Sequence, residues 1–211
     1  RNDGGASLLR HPCRIRAVVE AVRVAVPREI PVSAKLRLGW DSIDAIHENA
    51  AMAAEGGADW LTIHARTRVQ GYNPPVFWPQ IGRVRETLKL PIVANGDIWT
   101  LDDFRRCRDE TGCIHYMLGR SALANPALSH EIARELGLPY AEPETDWLRL
   151  MQRLIARAGS NNRTLARMKQ WLNLAHRYGD FRHFDLLKRS ESVEELTGIL
   201  REAMMVPAVS V

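Results

Sequence analysis

The sequence has few cysteines, as is typical of proteins in a reducing compartment. It contains three cysteines in 211 residues, an odd number far below the density of a disulfide scaffold. Cys107 and Cys113 have no histidine or cysteine partner at a metal-ligand spacing, so we expect no zinc site. No apolar run approaches the roughly 20 residues that span a bilayer. These absences predict a cytoplasmic protein with neither a membrane partner nor a bound metal.

The sequence also lacks an initiator methionine and any strand pattern ahead of its first helical segment. It opens at Arg1 and reaches that segment at Pro12. We expect the chain to begin within a longer fold whose first part is absent. The predicted first helix, 12–26, has an apolar face at a helical spacing, made of Ile15, Val18, Val19 and Val22.

Four short apolar runs stand out, and helix-like segments separate them. The runs occupy 31–40, 60–67, 91–97 and 114–120. Strands alternating with helices at this rhythm are typical of βα units on a parallel sheet. A closed (β/α)8 barrel needs eight such units. The sequence therefore predicts an α/β part, the second half of a TIM barrel, followed by an all-α part, a small helical bundle.

Polar residues end each of these runs, and in a βα barrel the active site lies at the carboxyl ends of the strands. Two cations in the first run, Lys35 and Arg37, share a strand face, which is costly unless an anion joins them. We favour ligand binding there over a structural ion pair. The other strand ends also have structural explanations: a histidine in the core, a turn, or a glycine that is common at strand ends. Only the four strand ends taken together favour a site. The residues at these ends are Lys35, His64, Asn95, Gly96, Asp97, Gly119 and Arg120.

Charge divides the chain unevenly. Residues 1–144 carry 18 basic and 18 acidic side chains, whereas residues 145–190 carry 10 and 3. A segment rich in proline and glutamate at 137–144 predicts a boundary between a barrel part, 1–140, and a helical part, 145–205. We expect Thr145 and Asn162 to cap two of the helices in that second part. The basic excess fits an anionic partner, although a solvated helical face would give the same excess.

Several segments together resemble the tRNA-dihydrouridine synthase family. The resemblance covers nearly all of the chain, which looks like the C-terminal two-thirds of such a protein. The helix segment 166–172 is similar to the bacterial subgroup C, which is associated with the sixteenth tRNA nucleotide. The matching segments are GGASLL at 4–9, VSAKLRLGWD at 32–41, IHART at 63–67, QGY at 70–72, PIVANGDI at 91–98, LGRSAL at 118–123 and ARMKQWL at 166–172.

This resemblance implies a flavin mononucleotide (FMN) enzyme that reduces a uridine of the tRNA D-loop with NADPH. Lys35 would contact the flavin ring system near its electron-rich edge, and His64 would lie beside the ring. The ribityl and phosphate end would be held by Asn95, Gly96, Asp97, Gly119 and Arg120. The tRNA would be contacted by Arg37, Arg167 and Lys169. The full-length protein is expected to be a monomer.

The chain departs from the family at the catalytic acid. The resemblance places that acid, a cysteine, in a segment that would precede Arg1, and Cys13 lacks the surroundings of that residue. No catalytic residue is therefore expected within these 211 residues, and we expect the chain alone to be inactive. Two other functions stay open from the sequence: a different phosphate-binding barrel enzyme, or an RNA-binding fragment without catalysis.

Overall fold

The computed structural model describes residues 4–141 and 145–205, and the predicted boundary residues 142–144 lie outside that range. The chain forms two compact units, Arg1–Gly119 and Arg120–Val211. Each unit has its own set of secondary-structure elements.

The described part of the first unit contains a parallel sheet of four strands in the order β1-β2-β3-β4. This confirms the four βα units predicted from the apolar runs. A 3₁₀ turn, Gly5–Arg10, comes before the first helix. The remaining elements are α1 (Pro12–Ala25), β1 (Ser33–Arg37), α2 (Ala45–Glu55), β2 (Trp60–His64), α3 (Trp78–Thr87), β3 (Ile92–Asn95), α4 (Leu101–Thr111) and β4 (His115–Met117).

Alternation along β1 decides which side chains the helices cover. Leu36 is buried, whereas Ser33 and Lys35 on the opposite face are exposed. Successive strand residues point to opposite faces, so the apolar set packs toward the helices and the cations do not. In β2 both faces are covered, because Leu61 and Ile63 are fully buried and His64 is only 7% exposed.

The first helix buries less of its apolar face than its spacing predicts. Ile15 and Val19 are buried, but Val18 is 50% exposed and Val22 is 43% exposed. The elements that pack on α1 are α2 and the 3₁₀ turn. Those two elements cover one side of the apolar stripe and leave the other side in contact with solvent.

The helix before β4 has both of its ends fixed by local sequence. Thr100 caps α4 by accepting a hydrogen bond from the backbone N–H of Asp103, whose carboxylate accepts one in return from the N–H of Thr100. At the other end Gly112 adopts a left-handed conformation with φ +60°. These caps fix the direction in which the chain enters β4.

The described residues of the second unit form helices joined by turns, with no strand among them. Its core includes Trp147, Met151, Met168, Leu172 and Leu196. The helices are α5 (Arg120–Ala124), α6 (Leu128–Glu135), α7 (Trp147–Ala158), α8 (Asn162–Tyr178), α9 (Phe184–Leu187) and α10 (Val193–Met205).

The division between the units comes earlier in the chain than the segment rich in proline and glutamate. Helix α5 packs closely on α8: Trp171 donates from Nε1 to the carbonyl of Leu123 at 2.7 Å. A Cβ on Gly179 would lie 2.3 Å from the carbonyl oxygen of Ala124, so only glycine permits this approach. Because α5 is held by α8, the structural boundary lies between Gly119 and Arg120 rather than at 137–144.

The helix caps in the second unit differ by one residue from those that we expected. Asp146, not Thr145, caps α7 through the backbone N–H of Arg149. Asn161, not Asn162, caps α8 by accepting from the N–H groups of Arg163 and Thr164. Aspartate is a stronger cap former than threonine, which accounts for the first difference. Asn161 and Asn162 are the same residue type, so cap propensity does not distinguish them.

Candidate functional site

Three of the predicted site residues stand side by side at the carboxyl edge of the sheet. Arg37 lies opposite His64, His64 opposite Asn95, and Asn95 opposite Met117 in the parallel register. Residues that share a register position point to the same face, so these side chains form one row across the four strands. We call this set the edge row.

Lys35 reaches the edge row from two residues earlier in β1. Its Nζ donates a hydrogen bond to Oδ1 of Asn95 at 3.0 Å, and Nδ2 of Asn95 donates to the carbonyl of Met117 at 2.7 Å. The Lys35 side chain is exposed as a whole, but partial desolvation of its amine, together with the neighbouring guanidinium of Arg37, lowers its pKa from the usual value. The amide of Asn95 therefore orients a lysine whose positive charge is only partly solvated.

His64 is held as a neutral imidazole at neutral pH. Burial is the main cause, and the positive charges of Arg37, Lys35 and Arg66 add to it, so that its pKa falls to about 4. A neutral imidazole donates one hydrogen bond and accepts another. The edge of the sheet thus combines one ammonium group with one uncharged ring that can donate or accept a hydrogen bond.

Gly96 follows the edge row and lets the chain pass close to His64. Its φ is +126°, which L side chains rarely adopt, and a Cβ there would lie 3.1 Å from Cδ2 of His64. Nε1 of Trp78 donates to the Gly96 carbonyl at 3.0 Å and fixes the turn from the helix side. The backbone at 95–97 is therefore closely packed.

Asp97 is paired with a residue that the sequence reasoning did not single out. The carboxylate of Asp97 accepts from both terminal nitrogens of Arg66, one of them at 2.9 Å, and Nε of Arg66 donates to the Asn73 carbonyl at 2.7 Å. Arg66 is fully buried. The ion pair links the turn after β3 to the loop after β2, so that the Asp97 side chain serves to hold the turn in place.

The strand register explains why Arg66 and Asp97 pair. Arg66 and Asp97 each come two residues after a member of the opposed pair His64 and Asn95. Residues that continue two opposed strands by the same number of positions stay close together and on the same side. The missing information was the register itself, which fixes the pairing across β2 and β3.

Arg37 holds the loop that follows β2. Its Nη1 donates to the carbonyls of Thr67 and Gly71, at 2.9 and 2.8 Å, and its guanidinium carbon lies 5.4 Å from the ring centre of Tyr72. Tyr72 itself is 63% exposed, and its ring centre is 6.3 Å from that of His64. Arg37 thus positions an exposed aromatic side chain at the edge of the sheet.

The last two predicted ligand residues fall on either side of the boundary between the units. Gly119 follows β4, and nothing lies within 4 Å of the position where a Cβ would stand. Arg120 begins α5 in the second unit. The first unit therefore brings together Lys35, His64, Asn95, Gly96 and Asp97, whereas Arg120 belongs to the helical unit.

Arg167 and Lys169, which are predicted to contact tRNA, and the neighbouring Arg163 differ in exposure along α8. Arg163 and Arg167 are exposed and line an open polar recess with Arg157 and Asn161. Lys169 is half-buried and does not line that recess. Two of the three side chains are thus directly available to an anion in solvent.

Within 4–141 and 145–205, no group of three or more histidine, cysteine or acidic side chains is arranged to hold a metal ion. In the same ranges, no helix has both the length and the apolar character that crossing a membrane requires.

Comparison with known proteins identifies the family of this chain. Residues 1–203 match the sequence profile of the dihydrouridine synthase family. The chain belongs to this family.

Several curated dihydrouridine synthases are similar over most of the chain. The tRNA-dihydrouridine(16) synthase of Shewanella oneidensis is 40% identical over 210 residues, which cover 96% of this chain and 65% of the relative. The protein of the same name from Pseudomonas putida is 43% identical over 84% of this chain and 56% of its own length. That from Neisseria meningitidis serogroup A is 36% identical, over 95% and 62%. The chain thus spans less than two thirds of the length of these relatives.

Proposed function

We propose that this chain is the FMN-binding and tRNA-binding portion of a tRNA-dihydrouridine synthase. The reaction is reduction of a D-loop uridine, at position 16, to 5,6-dihydrouridine with NADPH. Family membership and the printed names of the relatives support the reaction class and the position. The observation that carries the proposal is the hydrogen bond from Lys35 to Asn95 beside a neutral His64.

The edge row fits the electron-rich side of a flavin. Among the described residues Nζ of Lys35 has one hydrogen-bond acceptor, Asn95, so further N–H groups remain for a ligand. A cation beside the pyrimidine side of a flavin stabilises the negative charge of the reduced ring. His64 adds an uncharged imidazole, which contacts the ring without adding a second charge. FMN, when bound, supplies the hydride that NADPH has provided.

The remaining predicted ligands suit the ribityl and phosphate end. At Gly119 nothing lies within 4 Å of the Cβ position, and this allows a phosphate to approach the backbone N–H closely. Gly96 is packed against His64 on its Cβ side, so we propose that it contributes through its backbone N–H. Arg120 would add a forked, charge-assisted contact. For Asp97 we propose that the backbone contributes, since its carboxylate is held by Arg66.

The helical unit would bind the tRNA. Arg167 and Lys169 on α8 would contact it there, and Arg37 would act at the sheet edge. We further propose that the four strands are half of a (β/α)8 barrel. The whole protein would be a cytoplasmic monomer with the FMN site at its strand ends.

The general acid is not supplied by the cysteines of this chain. Cys107 and Cys113 are buried; burial raises the pKa of both, that of Cys107 to about 12. Cys13 lies in the first turn of α1, in the helical layer. After hydride reaches C6 of uracil, C5 needs a proton, and a positioned acid contributes about 10²–10⁴-fold. We expect residues 1–211 alone to form no dihydrouridine, and a wild-type rate measured by nucleoside mass spectrometry would contradict this.

Flavin binding tests the proposal directly. The purified protein is titrated with FMN and followed by flavin absorbance and fluorescence, together with the variants Lys35→Met and Lys89→Met. Lys89 is exposed ahead of β3 and serves as the matched control. Removing the Lys35 contact should weaken FMN binding by about tenfold or more, whereas Lys89→Met should bind as the wild type does.

Two results would overturn the proposal. Absence of FMN binding by the wild type, with tRNA binding retained, would favour the RNA-binding alternative. Equal FMN affinity of Lys35→Met and wild type would remove Lys35 from the site.

A further inference from the structure

Helix α7 carries three arginines on one exposed face. Arg149, Arg153 and Arg157 are each exposed and follow one another at intervals of four residues. With a rise of about 1.5 Å per residue, successive members of this set lie about 6 Å apart along the helix axis. We call these three residues the α7 stripe.

The opposite face of α7 is committed to the core of the helical unit. Trp147 and Met151 are buried there, and Leu154 and Ile155 pack against the same core. The helix is therefore held in place from one side. The arginine side chains take no part in that packing and remain exposed.

No carboxylate of the described residues forms an ion pair with the α7 stripe. Asp146 is the only acidic residue from 145 to 179, against seven basic residues. Its carboxylate accepts a hydrogen bond from the backbone N–H of Arg149. The stripe thus presents positive charge that no acidic side chain of the described chain neutralises.

The stripe continues into a polar recess at its C-terminal end. Arg157 lines this recess together with Arg163 and Arg167 of α8. Asn161 and Asn162 complete its polar wall. Five arginines on two packed helices therefore form a continuous basic surface, of which Arg157 is the shared member.

The composition of this surface favours a phosphate backbone over a protein partner. The other exposed residues on the outer side of α7, Gln152 and Ala156, offer no large apolar group. Protein interfaces have an apolar core with aromatic residues, which this surface lacks. Guanidinium groups, by contrast, bind phosphates through paired N–H donors without reading bases.

We propose that the α7 stripe is an additional contact surface for the RNA backbone, continuous with Arg163 and Arg167. The inference rests on the proposed tRNA substrate and extends its footprint from α8 onto α7. It assigns Arg149, Arg153 and Arg157 to phosphates, so the contribution of this surface is independent of base sequence.

The test is tRNA binding by the full chain, measured by fluorescence anisotropy over a range of salt concentrations. The test variant is Arg149→Gln/Arg153→Gln/Arg157→Gln. Arginine and glutamine have similar helix propensities, so α7 should persist, and circular dichroism checks this. Each lost phosphate contact should reduce the log–log salt slope by about 0.7–0.9, and the triple variant by about 2.

A matched control removes the same charge from the first unit. Arg28, Arg83 and Lys89 are exposed, and Arg28 and Lys89 lie ahead of strands, at the amino end of the sheet. Arg28→Gln/Arg83→Gln/Lys89→Gln should keep the wild-type slope. If the two triple variants lose affinity equally, net charge alone acts and the α7 stripe is refuted.

The remaining outcomes separate the two proposals. A test variant that keeps the wild-type slope refutes the stripe while leaving the tRNA substrate in place. A wild-type chain that does not bind tRNA refutes the proposed tRNA substrate itself.

Discussion

Arg66 and Asp97 extend two neighbouring strands by the same number of residues and meet as an ion pair. Their partners in the sheet, His64 and Asn95, are opposed in the register, and the pair forms two positions further on. Arg66 also donates to the Asn73 carbonyl. One buried guanidinium therefore fixes two segments that border the proposed ligand site.

Breaking this pair should destabilise the first unit strongly. Asp97→Asn would leave the fully buried Arg66 guanidinium without its counter-charge, at a cost of about 3 kcal/mol or more. Urea unfolding followed by circular dichroism measures the change. The control is Arg16→Gln, which breaks the half-exposed pair of Arg16 with Glu55 and should cost less than about 1 kcal/mol. Equal costs for the two variants would show that the Arg66 pair is not structural.

His64 should give the protein a stability that depends on pH in the acid range. Its folded pKa of about 4 lies below the unfolded value of 6.5, so between these values the unfolded chain binds more protons. Stability should therefore fall as the pH drops from 6.5 toward 4. Urea unfolding over this range should show a shallower pH dependence for His64→Asn than for the wild type. An NMR titration of the His64 ring with a midpoint near 6.5 would refute the neutral imidazole.

Gly96 should tolerate no side chain. Its φ of +126° and the 3.1 Å approach of a Cβ to the His64 ring are both unfavourable for alanine. Backbone strain of this kind costs about 1–3 kcal/mol, so Gly96→Ala should lower the melting temperature. Gly4, where a Cβ would meet nothing within 4 Å, provides the control. If Gly96→Ala has the same melting temperature as Gly4→Ala and the wild type, the close packing of the turn is wrong.

Arg120 should contribute to cofactor retention. Loss of a charge-assisted phosphate contact in Arg120→Ala should weaken FMN binding by about 1.5–3 kcal/mol. Flavin content after gel filtration is the measurement, and Arg134→Ala, an exposed arginine of α6, is the control. A variant that keeps its full flavin complement would remove Arg120 from the site.

Arg167 and Lys169 should affect tRNA affinity without affecting flavin. The double variant Arg167→Ala/Lys169→Ala should bind tRNA more weakly and with a reduced salt slope, of which the exposed Arg167 accounts for the larger share. Flavin content should stay at the wild-type level. Unchanged affinity and slope would mean that this part of α8 is only a solvated surface.

Much of the first unit follows from short-range sequence pattern. The alternation in β1 and the polar residues after each strand predicted four parallel strands with Lys35, His64 and Asn95 at one edge, and the register agrees. Side-chain partners did not follow from the same pattern. The hydrogen bond from Lys35 to Asn95 joins residues 60 positions apart, and only the folded register brings them together.

Local sequence pattern also could not predict how far the α1 face is buried or where the boundary between the units lies. Val18 and Val22 have the spacing of a core face, but whether they are covered depends on which elements pack beside α1. The boundary at Gly119 depends on the close approach of Gly179 to Ala124, a tertiary contact between residues far apart in sequence. Composition predicted a boundary at 137–144 but carried no information on whether α5 packs on the first unit or on α8.

The edge row also limits how this sequence can change in length. Side chains alternate along each strand, so inserting or deleting one residue within β1, β2 or β3 would turn Arg37, His64 or Asn95 toward the helical layer. Beyond Arg66 and Asp97, which must keep their spacing from the strands to form their ion pair, the loops have no such parity requirement. Natural length variation should therefore collect in those loops. Functional relatives should carry no insertion of an odd number of residues within the strands.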